Sequence, residues 1–524
     1  MRQSLCFALL ILGCAEMKVA SVSPQSAPPA ASTTAPTSGT PLQTKPDSEQ
    51  QVLAVVPPAP AECSGYTQHT ATASAGCGDK SEALVAFDKA LSENDALTRD
   101  AGLAQLANCK VVELGLSLAL RAEYAPPACG DALIGEFADA NKSKLNPALY
   151  DAFIGLKLAA ALTRLVRTAP QMEKPYSKER VDAFVKGVMA QWAFEQANAI
   201  SALSLRGARL SGYGKGLVAV EAGMADMRFV NAFRQVAIPD EFASDPELTE
   251  AYYSALDQGL EPRKARGRDA ALVGLRIFSD IGVLVDARVD RARELLSKLF
   301  NGRRIDAFDD LLVPALPAPE LNGIEQRVAT KLPTFYVEFV LGSVDPSNAT
   351  LLRALLERGL PTTLRGKLER SVLSAESRHL YARALFERGR IYWRASDFSA
   401  AASIAVTRKT GIVENTFIVA LSHALEKGPP DAAAMMLGRT QLNELGDLSQ
   451  LESLAEGKTP LAALAAYDAA LIRQLGSSED SNADFFKDLA RRYERAANLL
   501  KDPLQKRLAK QRAAAAAETA KQLH

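Results

Sequence analysis

Four cysteines stand at the start of the part of the chain that can fold: Cys63, Cys77, Cys109 and Cys129. Their spacings of 14, 32 and 20 residues contain no close C-x-x-C pair, so a zinc site lacks its usual ligand spacing. In an exported chain, an even number of cysteines points to disulfides, with three possible connectivities. Pairing of neighbours, Cys63 with Cys77 and Cys109 with Cys129, is the expectation. The four histidines, His69, His379, His423 and His524, never recur four residues apart on one helix, so no helical metal pair forms. The run Gly212-Tyr213-Gly214-Lys215-Gly216 invites an anion-cradle reading. It lacks the G-x-x-x-x-G-K-[ST] spacing and a preceding strand, and a flexible helix–helix connection is the expected role. Asp286 with Asp290, and Asp309 with Asp310, could form acid–base pairs. They lie among Arg288, Arg291, Arg303 and Arg304, and an ion-paired helical surface accounts for them. There is no G-x-S-x-G elbow, and neither metal nor cofactor is expected.

The elements around these residues read as helices. Of the 524 residues, 48% are hydrophobic but only 6% aromatic, and alanine and leucine supply most of the apolar surface. That composition favours close-packed helices over sheets. Apolar positions recur three and four apart, as in Leu84, Phe87, Ala90 and Leu91. Helix starts are marked at Asp245-Pro246, Asp345-Pro346 and Ser481, and stops at Gly359-Leu360-Pro361 and Gly428-Pro429-Pro430. Two stretches are basic. One is Arg263-Lys264-Ala265-Arg266-Gly267-Arg268, placed at a helix entrance; the other is 487–512, with an apolar stripe through Leu489, Tyr493, Ala496 and Leu500. Either could face anionic lipid or cell-wall polymer, or be a solvated helix face. The 61 basic and 61 acidic residues balance, which argues against nucleic acid as a partner.

Arg2 followed by the apolar run 5–12 is too short to span a bilayer and suits the core of a signal peptide. It ends in Ile11-Leu12-Gly13-Cys14, which resembles the lipobox of bacterial lipoproteins. The resemblance implies a signal peptide over 1–13 and a lipid on Cys14. With Ala15 next, it implies an outer-membrane address facing the periplasm. Residues 21–60 are rich in Pro, Ala, Ser and Thr and cannot bury a core. As a disordered tether this stretch would have a mean span of roughly 40 Å and a stretched limit of roughly 150 Å.

Residues 382–415 resemble a tetratricopeptide repeat, with Leu385, Gly389, Tyr392, Phe398 and Ala401 at that family's spacings. Small Gly389 and Ala401 would let two helices approach, while Tyr392 and Phe398 fill the groove between them. The second half of the pattern recurs as Ala463, Tyr467 and Ala470. The expected architecture is therefore all-α: a degenerate α-solenoid of antiparallel helix pairs behind a disordered Pro/Ala/Ser/Thr tether. A signal peptide occupies 1–13, and the lipidated cysteine with its linker 14–62. A disulfide-containing N-terminal helical domain spans 63–317, and a repeat-like C-terminal domain spans 318–524, divided at the prolines of 314–319. The resemblance implies a non-catalytic, membrane-anchored scaffold that docks protein partners of the envelope in a concave groove, in secretion, motility or outer-membrane assembly. A structural lipoprotein bound to cell wall or lipid surface is the alternative. A wall-cleaving enzyme would need a compact catalytic domain for which the helical C-terminal half leaves no room.

Overall fold

The computed structural model describes residues 55–69, 77–300, 304–316, 318, 320–406, 412–428, 431–436, 446–478 and 480–523. Cys14, the expected signal peptide 1–13 and the expected linker as far as residue 54 lie outside these, as do Arg303, Pro317, Pro319, the Pro429-Pro430 stop and His524. The last residues of the expected linker are instead packed on the fold, the Pro57 carbonyl accepting from Arg164 at 2.7 Å and Val55 and Val56 lying against an apolar core. Among the described residues every regular element is helical, as the periodicity predicts; the only β-type contact is one bridge between Val283 and Gly359.

Helices of eight residues or more run in this order: α1 Lys80–Ser92, α2 Ala96–Gln105, α3 Leu116–Tyr124, α4 Pro147–Arg164, α5 Ala190–Ala208 and α6 Gly212–Arg234. The 35-residue α7, Pro246–Asp280, precedes α8 Ala287–Leu299, α9 Ala349–Leu356 and α10 Thr362–Arg370. The last seven are α11 Ala375–Tyr392, α12 Ala395–Val406, α13 Val413–Leu425, α14 Ser449–Glu456, α15 Ala462–Leu475, α16 Ala483–Leu499 and α17 Pro503–Gln522. Side-chain caps set many starts, because the first amides of a helix have no partner inside it. Asp245 accepts from the amides of Glu247 and Leu248 with Pro246 at the first helical position. Two starts differ from the sequence reading. Asn348, not Asp345, caps α9, and Asn482, one residue beyond Ser481, caps α16. The basic run at Arg263 lies inside α7 rather than at its entrance.

The glycine run is not a flexible connection. It forms the first turn of α6, the helix at the centre of the N-terminal half, packed on α4, α5 and α7. A Cβ on Gly214 would lie 2.0 Å from the Asp151 carbonyl oxygen, and one on Gly155 would lie 2.5 Å from the Gly214 Cα. Bare backbone is what lets α4 and α6 cross in contact.

The cysteines pair as Cys63–Cys129 and Cys77–Cys109, with Cα separations of 5.3 and 4.7 Å, which corrects the neighbour pairing. The reason is antiparallel packing. Cys77 precedes α1 and Cys109 follows α2, so the two meet at one end of that hairpin. Cys63 opens a short helix, Cys63–Thr67, that packs on the helix beginning just after Cys129.

The largest apolar core is continuous from Leu84 to Ala516. Contacts join both sides of the expected division at 317. The Asp88 carboxylate accepts from Arg327 at 3.0 Å and Lys331 at 2.7 Å. Glu123, which accepts from Arg288 at 2.8 Å and Tyr213 at 2.6 Å on its own side, is reached across the division by the Tyr336 hydroxyl at 3.4 Å. A second core joins α4, α5 and α6 around the stacked rings of Trp192 and Phe229.

Candidate docking site

From α11 onward, helices pack in chain order: α11 on α12, α12 on α13, α14 on α15, α15 on α16 and α16 on α17, while α13 contacts both α11 and α14. The residues that carry the repeat resemblance sit in these contacts. Leu385, Tyr392, Phe398, Ala401, Tyr467 and Ala470 are buried, and Ala463 is half-buried. A Cβ on Gly389 would lie 2.9 Å from the Phe398 ring, so that glycine lets α12 settle against α11. Two 2.7 Å bonds from Arg388 to Asp397, both buried, fix the start of α12 to the flank of α11.

Against this array runs the segment 304–316, a 3-10 turn at Ala307–Asp310 followed by non-helical chain from Leu311. Much of its hold is by side chains that reach its backbone. Trp393 Nε1 donates to the Ile305 carbonyl at 2.6 Å, and Arg383 donates to the Pro314 carbonyl at 2.7 Å. The Leu312 amide donates to Asp468 Oδ1 at 2.8 Å. Phe308 anchors the segment by stacking on Trp393, with ring centroids 3.9 Å apart, and by meeting Phe398 edge-on. Asp310 pairs with Arg512 of α17, and Asp309 receives two bonds from Arg293 of α8.

A cleft of about 590 Å³ opens where this segment, α8, α9 and α11 meet. Its aliphatic surface comes from residues such as Leu284, Leu356 and Ile391, and its charges are mostly paired within the wall. Arg383 and Arg390 both bond Glu387, at 2.9 and 2.7 Å. Two charges are less well served. Arg353 has its Nε and Nη2 buried without a hydrogen bond, the nearest carboxylate being Glu357 at 3.6 Å. Burial raises the pKa of Asp290; Arg293 opposes this, and Asp309 and Asp286 add to it.

Asp468 is fully buried on α15. Burial pushes its carboxyl up to about 8, against the pull of the Leu312 amide and Arg390. Its Oδ2 has no hydrogen-bond partner among the described residues, which suits a protonated acid.

The other residues singled out by type are dispersed. His69 Nδ1 lies 2.7 Å from Asp100, His379 is buried 2.6 Å from Asn415 Oδ1, and His423 lies 3.1 Å from Glu426. Among the described residues no three potential metal ligands come together, and no helix is long and apolar enough to cross a membrane. Arg263 and Arg266 converge on buried Asp226, whose carboxyl pKa burial lifts against the pull of Arg266. The stripe through Leu489, Tyr493, Ala496 and Leu500 is core. Trp393, Asp468 and Arg353 were not singled out by residue type or spacing. Two of the three carry a signal in the sequence: Trp393 is one of only two tryptophans, and Asp468 interrupts an otherwise apolar run of α15. No protein-family model matches the chain, and neither a curated protein nor a solved structure matches it.

Proposed function

We propose that the chain is a non-catalytic scaffold of the bacterial envelope, anchored by a lipid on Cys14, that docks protein partners on a degenerate, tetratricopeptide-like solenoid. One observation carries this reading. The C-terminal helices already hold a non-helical stretch of polypeptide, and Trp393, Arg383 and Asp468 bond its backbone while the Trp393 ring also takes the Phe308 side chain. Backbone-directed bonds tolerate many sequences, and an aromatic pocket beside them supplies an anchor, as in peptide-recognition grooves generally. Because residues 304–316 fill that stretch of the surface, the place left for a partner segment is the adjoining cleft, with Arg353 and Asp290 as its under-partnered charges.

The test is cross-linking in cells followed by affinity purification from solubilised membranes. Wild type is compared with Cys14→Ser and with Arg353→Glu. Envelope proteins should co-purify with the wild type, fall away in Arg353→Glu, and be lost with the anchor. A chain recovered alone, or only with wall polymer, overturns the docking reading in favour of a wall-binding lipoprotein.

A further inference from the structure

The hairpin of α16 and α17 ends in a connection of three residues, Leu500, Lys501 and Asp502. Leu500 turns inward and is buried, whereas its neighbours across the turn do the opposite. Leu499 is 43% exposed and Leu504 64%, both at the same tip. Single exposed leucines are ordinary on a protein surface. What sets this pair apart is the charge around it. Residues 495–510 carry Arg495, Lys501, Lys506, Arg507 and Lys510 against one acid, Asp502. That acid is spent as a helix cap, accepting from the Leu504 and Gln505 amides at 2.9 and 2.8 Å. Among the described residues none of the five cations makes an ion pair; Arg495 alone has a bond, a 3.4 Å contact to the Ala455 carbonyl. Exposed Glu494 is the nearest acid on α16. By contrast Lys487, Arg491 and Arg492, farther from the tip, are each matched by Asp484 or Asp488.

We infer that this tip is a contact site for an anionic lipid surface, the two leucines entering the headgroup boundary and the neighbouring cations meeting the lipid charge. Charge complementarity selects the occupant: a neutral or cationic surface gains nothing from five unpaired cations. The inference stands independently of whether Cys14 is lipidated.

The test uses the full chain bearing Cys14→Ser, so that no anchor contributes. Co-sedimentation is measured with vesicles of phosphatidylcholine alone and of one part phosphatidylglycerol to two parts phosphatidylcholine. Any insertion of residues 5–12 is common to both and is removed by the neutral arm. Binding should be stronger on the anionic vesicles and weaken as salt is raised. Lys506→Gln/Arg507→Gln should lower it about 30-fold, at about 5-fold per cation lost near the surface. Leu499→Ser/Leu504→Ser should lower binding as well. Lys487→Gln/Lys521→Gln removes the same charge from the opposite end of the hairpin and should leave binding unchanged. The inference fails if the anionic vesicles bind no better than neutral ones. It also fails if the two lysine-containing double variants weaken binding equally, since overall charge would then be the cause. Unchanged far-ultraviolet dichroism in all variants separates lost contact from lost fold.

Discussion

Replacing Asp468 by asparagine should stabilise the protein at neutral pH and leave it unaltered in acid. Burial holds the folded carboxyl at about 8, while the unfolded chain titrates near its ordinary value of 3.8. Between those values the unfolded chain has released a proton that the folded chain keeps. Unfolding therefore becomes easier as pH rises, and the contribution is intact below about pH 4 and lost progressively up to about pH 8. At pH 7 the loss is about 4 kcal/mol, from about 1.36 kcal/mol per pH interval. Asparagine keeps an oxygen for the Leu312 amide and, like the protonated acid, places a donor where Oδ2 has no partner. The folded states are thus nearly matched, and the difference arises in the unfolded chain. With about 2.1 cal/mol/K per residue of unfolding entropy over the folded part, the gain corresponds to a rise in Tm of about 4 °C. Calorimetry of both proteins at about pH 4 and at neutral pH should show curves that coincide in acid and separate above it. A variant that melts with or below the wild type at neutral pH would mean the carboxylate is ionised and held by Arg390. A gap that persists in acid would assign the effect to packing.

Other expectations concern the frame around the site. Gly214→Ala places a methyl into the Asp151 carbonyl and should cost about 3 kcal/mol, beyond the roughly 1 kcal/mol alanine returns as a better helix former; an unshifted urea midpoint would contradict the close crossing. Mass spectrometry of an unreduced digest should join Cys63 to Cys129 and Cys77 to Cys109, and a peptide joining Cys63 to Cys77 would refute that connectivity. Cys63→Ser/Cys129→Ser opens a loop with a sequence separation of 66 and should lose about 4 kcal/mol. Phe308→Ala empties the stack on Trp393; about 3–5 kcal/mol should be lost, with faster hydrogen exchange at the Leu312 amide than elsewhere in the core.

Much of the architecture was legible because it is local. Helix type follows from the three-and-four spacing of alanine and leucine. The position of α7 follows from Asp245-Pro246, and the end of α9 from Gly359-Leu360-Pro361, since capping and proline geometry act within one turn. The packing of Gly389 on Phe398 was legible for the same reason: both belong to one helical hairpin.

The rest depended on which elements meet, and no local pattern encodes that. Neighbour pairing of cysteines failed because an antiparallel hairpin brings Cys77 to Cys109 across two helices. The glycines at 212–216 look like a hinge in sequence, yet they are the seam where α4 presses on α6. The prolines of 314–319 suggested a boundary. Local geometry does forbid a helix there, but the segment before them lies in the grip of Trp393, Arg383 and Asp468. The sequence by itself determined helix type and the Asp245 start of α7, which short-range sterics and hydrogen bonds control. Only the tertiary structure decided the connectivity, the continuous core and the burial that raises the pKa of Asp468, because long-range packing controls who touches whom and how far water is excluded.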